Sequence, residues 1–166
     1  MRFVSVFLLV FYSFIPLAFA QAAGFTPLIE AVKKKTANEY VISTLIEKGA
    51  DVNARDEQGR SVLMLAAMHN PHPAVIFMLI KEGARVNART PDSGQTALFF
   101  AVQYNSNPEV VITLLNNGAD QNMEDVFGKT AYDYIDRNPK IKGSEAEFLF
   151  KDYDPGEESS DDEASR

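Results

Sequence analysis

The chain of 166 residues contains no cysteine and only two histidines. Without cysteine it forms no disulfide, has no thiolate nucleophile and lacks the residue that a lipoprotein anchor requires at its cleavage point. His69 and His72 stand three apart across a proline break, and a metal site would need further ligands. We therefore expect no metal and no cofactor, with both histidines in a solvent-exposed loop.

Basic residues are also too few to predict a nucleic-acid-binding face. Residues 21–151 carry 14 basic and 16 acidic side chains, so this part is nearly neutral. Residues 152–166 carry seven acids and one base, which accounts for most of the net charge of -7. We therefore predict a solvated, disordered acidic tail over residues 151–166, with loose binding of calcium or of a basic partner as the alternative.

Long apolar runs are absent except at the start of the chain. Met1 and Arg2 precede an apolar run from Phe3 to about Phe14, and an Ala-x-Ala sequence ends at Ala20. This order predicts a signal peptide, residues 1–20, and hence a periplasmic or secreted protein. An uncleaved membrane anchor is the alternative, because about 17 apolar residues approach the length that spans a bilayer. Pro16 and the small residues after it favour cleavage.

What the chain does contain is an internal repeat, which predicts a fold of stacked units. Phrases similar to Gly-Ala-Asp-Val-Asn-Ala begin at Gly49, Gly83 and Gly118, and a second phrase keeps nearly the same step of 34 or 35 residues. The second phrase begins at Thr26, Ser61, Thr96 and Thr130. We divide residues 21–150 into repeats at about 24–59, 60–94 and 95–128, and a closing unit at 129–150.

Residues 60–94 give the clearest unit. Ser61 is a helix cap, and the segment from Asn70 to Pro73 must end the first helix because proline lacks an N–H. A second helix is predicted from about Ala74 to Glu82. Gly83 follows, where a helix end favours a left-handed residue. The unit therefore reads helix, turn, helix, glycine stop and loop, with the matching third-repeat helix from Val110 to Asn117.

These phrases resemble the ankyrin repeat: a Thr-Pro-Leu-like opening, Ala-Ala on the first helix, Leu-Leu or Leu-Ile on the second, then Gly-Ala-Asp-Val-Asn-Ala. The resemblance implies an all-α solenoid of helix-turn-helix units with β-turn or hairpin loops. It also implies a non-catalytic module that binds a protein, here as a monomer. Two departures stand out. The histidine usual in the opening phrase is missing, which removes its hydrogen bonds, and two helix-helix turns are one residue longer. The positions that lack the histidine are Ile29, Met64, Phe99 and Asp133.

The resemblance further implies a binding surface made by the loop tips and the exposed side of the first helices. In this sequence its members are Phe25, Lys33, Lys34, Arg55, Glu57, Gln58, Arg60, Met68, His69, Arg89, Asp92, Ser93, Gln95, Gln103, Tyr104, Glu124, Val126, Phe127 and Lys129. Tyr104, Phe127, Arg55 and Arg89 are the strongest candidates, because interface hot spots favour aromatic residues and arginine. Alternatively, Val126 and Phe127 pack on the adjacent tip, and the two arginines pair with Asp56 and Asp92.

We therefore expect an exported, bacterial ankyrin-repeat protein that binds a protein partner. An inhibitor or immunity-type protein, a membrane-tethered scaffold and an unrecognised enzyme are the other hypotheses. Asp51, Asp56 and Asp120 recur at fixed positions of the repeat, where capping a turn explains them without chemistry.

Overall fold

A computed structural model describes residues 27–151, which form three antiparallel pairs of α-helices followed by a closing unit. The predicted signal peptide and most of the predicted acidic tail lie outside this range, as does Phe25. The helices are α1 Pro27–Val32, α2 Glu39–Glu47, α3 Val62–His69, α4 Pro73–Lys81, α5 Ala97–Tyr104, α6 Pro108–Asn116, a 3-10 helix Tyr132–Arg137 and α7 Glu145–Lys151.

The pairs stack in register, so that like helices contact like helices. The inner layer consists of α1, α3, α5 and the 3-10 helix, and the outer layer of α2, α4, α6 and α7. Residues 27–151 contain no strand, and an isolated antiparallel bridge joins Arg55 to Ser61 at the base of one loop. The predicted all-α solenoid with hairpin-like loops is confirmed. No helix within the described range is long and apolar enough to cross a membrane.

Burial follows from a helix's place in the stack. Helix α3 is buried from Val62 to Ala67, because α1 and α5 cover it on two sides and α4 on a third. The first repeat contains a residue that is exposed although its equivalents in the later repeats are buried. Val41 is 43% exposed, whereas Val75 and Val110, also eight residues before the repeat glycine, are fully buried. No earlier repeat within the described residues covers Val41.

Two outer helices begin earlier than the proline pattern predicts. Pro73 and Pro108 were expected in the breaks, but each is the first residue of its helix, and α4 and α6 end one residue sooner than predicted. The first helical position suits proline, since its missing N–H would have no partner within the helix there. Asn107 caps α6 by accepting a hydrogen bond from the Glu109 N–H at 3.1 Å.

The caps of the inner helices differ between repeats. Ser61 caps α3 as predicted, and the Met64 sulfur in turn accepts a hydrogen bond from the Ser61 N–H at 3.2 Å. Thr96, the equivalent residue of the third repeat, precedes α5 but makes no side-chain cap bond. In the closing unit, Asp133 accepts bonds from the Thr130 N–H and hydroxyl. Met64 and Asp133, two of the positions that lack the family histidine, thus accept local hydrogen bonds at the start of their inner helices.

The glycine stops have the predicted geometry. Gly83 has a φ of 91°, and its N–H and that of Ala84 donate to the Ile80 and Leu79 carbonyls. Only glycine adopts this left-handed conformation without a steric penalty. Asp51 and Asp120, just after the first and third stops, accept bonds from the N–H groups of Asn53 and Asn122, as turn-capping predicts.

A ladder of buried asparagines joins the helix-helix turns. Asn70 donates to the Ala37 carbonyl, Asn105 to the Asn70 carbonyl and Asn138 to the Asn105 carbonyl, at 2.9, 3.0 and 2.8 Å. Each side-chain oxygen also accepts from the N–H two residues later, which holds its own turn. We name Asn70, Asn105 and Asn138 the asparagine ladder. It satisfies carbonyl groups that water cannot reach.

We predict that Asn105→Ala lowers the free energy of unfolding by about 1–3 kcal/mol, because it leaves buried carbonyls of Ala67 and Asn70 without a donor. Urea denaturation followed by circular dichroism measures the change. Ser106→Ala, at an exposed position one residue along the same turn, is the matched control and should leave stability almost unchanged. Equal stability of the two variants would contradict a supporting role for the ladder.

Candidate functional site

The predicted surface begins at three hairpin tips, residues 56–60, 90–95 and 125–129, and in each the first residue's N–H donates to the last residue's carbonyl. In the first tip, Asp56 accepts bonds from the N–H groups of Gln58 and Arg60, and pairs with the Arg60 guanidinium at 2.6 Å. In the third tip, Asp125 accepts from the N–H groups of Phe127 and Lys129. A carboxylate at the start of the turn thus folds the tip and orients the residues beyond it.

The second tip is one residue longer and uses a hydroxyl in place of the carboxylate. The Thr90 hydroxyl accepts from the Gln95 N–H at 3.1 Å and lies 2.8 Å from the Ser93 hydroxyl. Asp92 accepts from the Ser93 N–H within the tip. Asp92 is exposed, and its hydrogen bonds lower the pKa of its carboxyl, chiefly those from the backbone of Ser93 and Asp92 itself.

Arg55 and Arg89 connect one tip to the next. Arg55 donates to the Gly59 carbonyl and, at 3.1 Å, to the Arg89 carbonyl. Arg89 donates to the Glu124 carbonyl at 2.6 Å. The alternative of ion pairs with Asp56 and Asp92 is wrong, because no such pair forms among residues 27–150 and Asp56 pairs with Arg60. The two arginines are exposed and hold adjacent tips in line.

The tips also approach one another directly. A Cβ on Gly59, whose φ is 73°, would lie 2.6 Å from the Pro91 ring. The Val126 N–H donates to the Ser93 carbonyl at 3.0 Å, and Gln95 reaches the Asp125 carboxylate at 3.5 Å. The three tips therefore form one continuous edge with a fixed relative position.

Behind the third tip lies a polar cluster centred on Tyr134. The buried Tyr134 hydroxyl donates to Asp125, and this bond contributes most to raising the pKa of the tyrosine. The guanidinium of Arg137 lies 4.5 Å from the ring centre, and the Lys129 ammonium 5.7 Å. These are cation–π distances. The cluster anchors the third tip to the closing unit.

The structure places one predicted surface residue inside the molecule. Gln103 is 7% exposed, donates to the Phe99 carbonyl and accepts from Arg137 at 3.4 Å. It is buried because the closing unit covers that side of α5. The exposed Arg137 of the closing unit therefore takes the neighbouring position on the surface. The sequence reasoning missed Arg137 because the closing unit lacks a clear repeat pattern.

The apolar members of the surface are exposed as predicted. Tyr104 is 53% exposed, Val126 59% and Phe127 75%, while Met68 is half-buried. The alternative that Val126 and Phe127 pack on the adjacent tip does not fit these exposures. Tyr104 stacks at 6.4 Å on Phe100, which is itself almost buried and limits the movement of the tyrosine ring.

The two histidines differ in their surroundings. The expectation that both lie in a solvent-exposed loop is wrong for His69, which is the last residue of α3 and half-buried. Burial, followed by the charges of Arg60, Lys33 and Lys35, lowers the pKa of His69. It therefore stays neutral at pH values where an ordinary histidine begins to protonate. His72 lies apart from it, with one ring nitrogen 3.1 Å from the Lys35 carbonyl. Residues 27–150 contain no cluster of three or more acidic, histidine or cysteine side chains that could hold a metal.

The other predicted members divide by exposure. Gln95 and Arg60 are half-buried within their tips, and the exposed set is Lys34, Glu57, Gln58, Glu124 and Lys129. Sequence reasoning did not single out exposed aromatic residues elsewhere. Tyr40 is 75% exposed and Phe77 44% exposed on the outer helices α2 and α4, and Phe148 is 58% exposed on α7.

A stack of helix pairs with hairpin tips in one row is the architecture of a repeat module that binds other proteins. The family model for ankyrin repeats, in three copies, matches residues 28–125. The chain therefore belongs to the ankyrin-repeat family, whose repeats are protein-interaction modules.

Curated relatives match parts of this region. Human fem-1 homolog C is 39% identical over 88 residues, which cover 46% of this chain and 14% of that protein. Human fem-1 homolog A is 37% identical over 76 residues, or 39% of this chain and 11% of the relative. A mouse protein with fibronectin type 3 and ankyrin repeat domains is 46% identical over 48 residues, or 29% of this chain and 14% of its own. The chain spans about a seventh of these relatives or less.

We predict that Asp125 makes the stability of the fold depend on pH. Burial opposes its ionisation, but bonds from Tyr134, Phe127 and Lys129 outweigh this and lower its pKa. Its ionised form therefore stabilises the folded state fully above the unfolded pKa of about 3.9, and the contribution is lost as pH falls through the lower folded value. The difference in free energy of unfolding between the wild type and Asp125→Asn should shrink as pH falls from 7 to 3.

Urea denaturation across this pH range measures that difference. Glu124→Gln, at the exposed neighbouring position, is the control. Its free energy of unfolding should change with pH as that of the wild type does. A constant offset between Asp125→Asn and the wild type at every pH would contradict the prediction.

Proposed function

We propose that this protein is an exported, non-catalytic module that binds a protein partner through the edge formed by its three hairpin tips and the adjacent end of α5. The observation that carries the proposal is the exposure of Tyr104, Val126 and Phe127 on a framework that other contacts hold rigid. Interfaces draw most of their binding energy from such aromatic anchors.

The rigidity of this edge favours binding. Arg55 and Arg89 tie the tips together, and the Tyr134 cluster fixes the third tip to the closing unit. A surface ordered before binding loses little conformational entropy when its partner arrives. Arg55 and Arg89 therefore act mainly by positioning the tips, and the aromatic side chains supply the direct contacts.

Charge divides the proposed surface into two parts. The basic side chains of Lys33, Lys34 and Arg60 belong to the first two repeats, whereas the exposed apolar side chains belong to the third repeat and its tip. Lys33 pairs with Glu30 and Arg60 with Asp56, which leaves Lys34 as an exposed charge without an ion pair among residues 27–150. A partner with apolar groups at one end and an acidic group at the other fits this division.

Export rests on the order of the first 20 residues: basic start, apolar middle and small residues before Gln21. Cleavage after Ala20 would release the repeat domain into the periplasm or the medium. The protein would then reach its partner outside the cytoplasm, with no membrane attachment of its own.

We predict that the double variant Tyr104→Ala, Phe127→Ala binds its partner at least about tenfold more weakly, because a hot-spot aromatic contributes about 2 kcal/mol or more. Pull-down from envelope extract with tagged protein identifies the partner, and calorimetry with the purified partner measures the affinity. Tyr40→Ala, Phe77→Ala is the matched control, since it removes two exposed aromatics from the outer helices. An equal loss of affinity in both double variants, or no loss in Tyr104→Ala, Phe127→Ala, would refute the proposed surface.

We further predict that the mature protein begins at Gln21. N-terminal sequencing of protein recovered from the periplasm or the medium checks this directly. Lys replacement of Leu8 and Leu9 in the apolar run should keep the protein in the cytoplasm. An intact Met1 on protein in the membrane fraction would instead favour a tethered scaffold.

A further inference from the structure

Two cations lie over the ring of Tyr134, at the end of the proposed surface that adjoins the closing unit. The Arg137 guanidinium is 4.5 Å from the ring centre and the Lys129 ammonium is 5.7 Å from it. Both of these side chains are exposed, whereas Tyr134 is buried. Like charges held this close repel each other, and an anion bound between them would relieve the repulsion.

The ring that carries the two cations has a fixed position. Its hydroxyl donates to the Asp125 carboxylate, and its centre lies 5.9 Å from that of the buried Phe99 ring on α5. Arg137 is held further by the bond that it donates to the Gln103 side chain at 3.4 Å. Groups that are ordered before binding lose less conformational entropy when a ligand arrives.

Most hydrogen-bond donors of the two cations are free. A guanidinium has five N–H groups, and Arg137 donates to Gln103 through one of its nitrogens. The Lys129 ammonium makes no hydrogen bond to any residue of the range 27–151. Within the same range neither cation forms an ion pair.

The acidic side chains of the third tip and the 3-10 helix have other partners. Asp125 is buried, and it accepts bonds from the Tyr134 hydroxyl and from N–H groups of its own tip. Asp133 accepts from the N–H and the hydroxyl of Thr130. Asp136 pairs with a lysine of the closing unit at 2.7 Å. The two cations over the ring are therefore available to an acidic group from outside.

We propose that Lys129 and Arg137 form a carboxylate site, which binds an aspartate or glutamate side chain of the protein partner. This inference rests on the proposed function, because the site lies at one end of the hairpin-tip surface. Arg137 bonds to the residue before Tyr104, and Lys129 follows Phe127 by two residues. A guanidinium can bind both oxygens of a carboxylate, and an ammonium adds a point charge. The partner segment therefore carries an acidic residue beside its apolar ones.

A library of random peptides displayed on phage is the probe, selected against the full protein. We expect the recovered peptides to combine apolar residues with an aspartate or glutamate, and this acidic preference should disappear against Lys129→Gln, Arg137→Gln. The matched control is Lys48→Gln, Lys140→Gln, which removes two exposed positive charges elsewhere and should keep the preference. Lys129→Gln alone removes no side-chain hydrogen bond and should weaken the preference even if the double variant does not fold.

Calorimetry with one recovered peptide measures the size of the effect. Changing its acidic residue to the corresponding amide should weaken binding to the wild type about fivefold. The same change should not alter binding to Lys129→Gln, Arg137→Gln, because the carboxylate has lost its partners there. An equal effect of the amide on both proteins would overturn the carboxylate site.

The variant Tyr104→Ala, Phe127→Ala separates this inference from the proposed function. Peptides that need these two aromatic residues but show no acidic preference would overturn the carboxylate site and leave the hairpin-tip surface intact. Peptides that bind this variant normally but still need Lys129 and Arg137 would support the carboxylate site and refute the aromatic anchors.

Discussion

The asparagine ladder provides the constraint on which the rest of the structure depends. A pair of short helices buries one face at most, and its turns expose backbone carbonyls that the next repeat will cover. Asn70, Asn105 and Asn138 donate to these carbonyls from one repeat to the next while they hold their own turns. Stacking therefore buries leucine and alanine without leaving these turn carbonyls unsatisfied. With the turns in register, the inner helices align and the hairpin tips form a row.

Polar side chains have a similar structural role at the hairpin tips. Charged groups there act largely within the protein: Asp56 and Asp125 fold their turns, and Arg55 and Arg89 bind the carbonyls of neighbouring tips. The exposed aromatic and aliphatic side chains have no such task. An internal framework of charged and polar groups thus presents apolar groups to the outside. Geometry and apolar contact, rather than net charge, would supply the specificity of the proposed surface.

The two ends of the stack differ from its middle in a way that follows from their position. Val41 is exposed where Val75 and Val110 are buried. The Asn122 side chain makes no hydrogen bond within residues 27–151, whereas Asn53 and Asn87 each bind the turn of the next repeat. Interior repeats have neighbours on both sides, so identical residues find partners there that they lack at an end. A repeat protein must complete its ends with chain of a different sequence. In this protein the 3-10 helix and α7 cover the inner and the outer helix of the third repeat.

The sequence alone determined the fold class, the repeat length and the glycine stops, because each depends on local chemistry: caps, prolines and the conformational freedom of glycine. It also predicted the exposed Tyr104, Val126 and Phe127. The burial of Gln103, the roles of Arg55 and Arg89 and the asparagine ladder were decided only by the tertiary structure. In each case the partner lies about one repeat away, between 33 and 38 residues for most of these bonds. Local patterns do not reveal such contacts, since whether a polar side chain is free or bound depends on which backbone group the neighbouring repeat brings beside it.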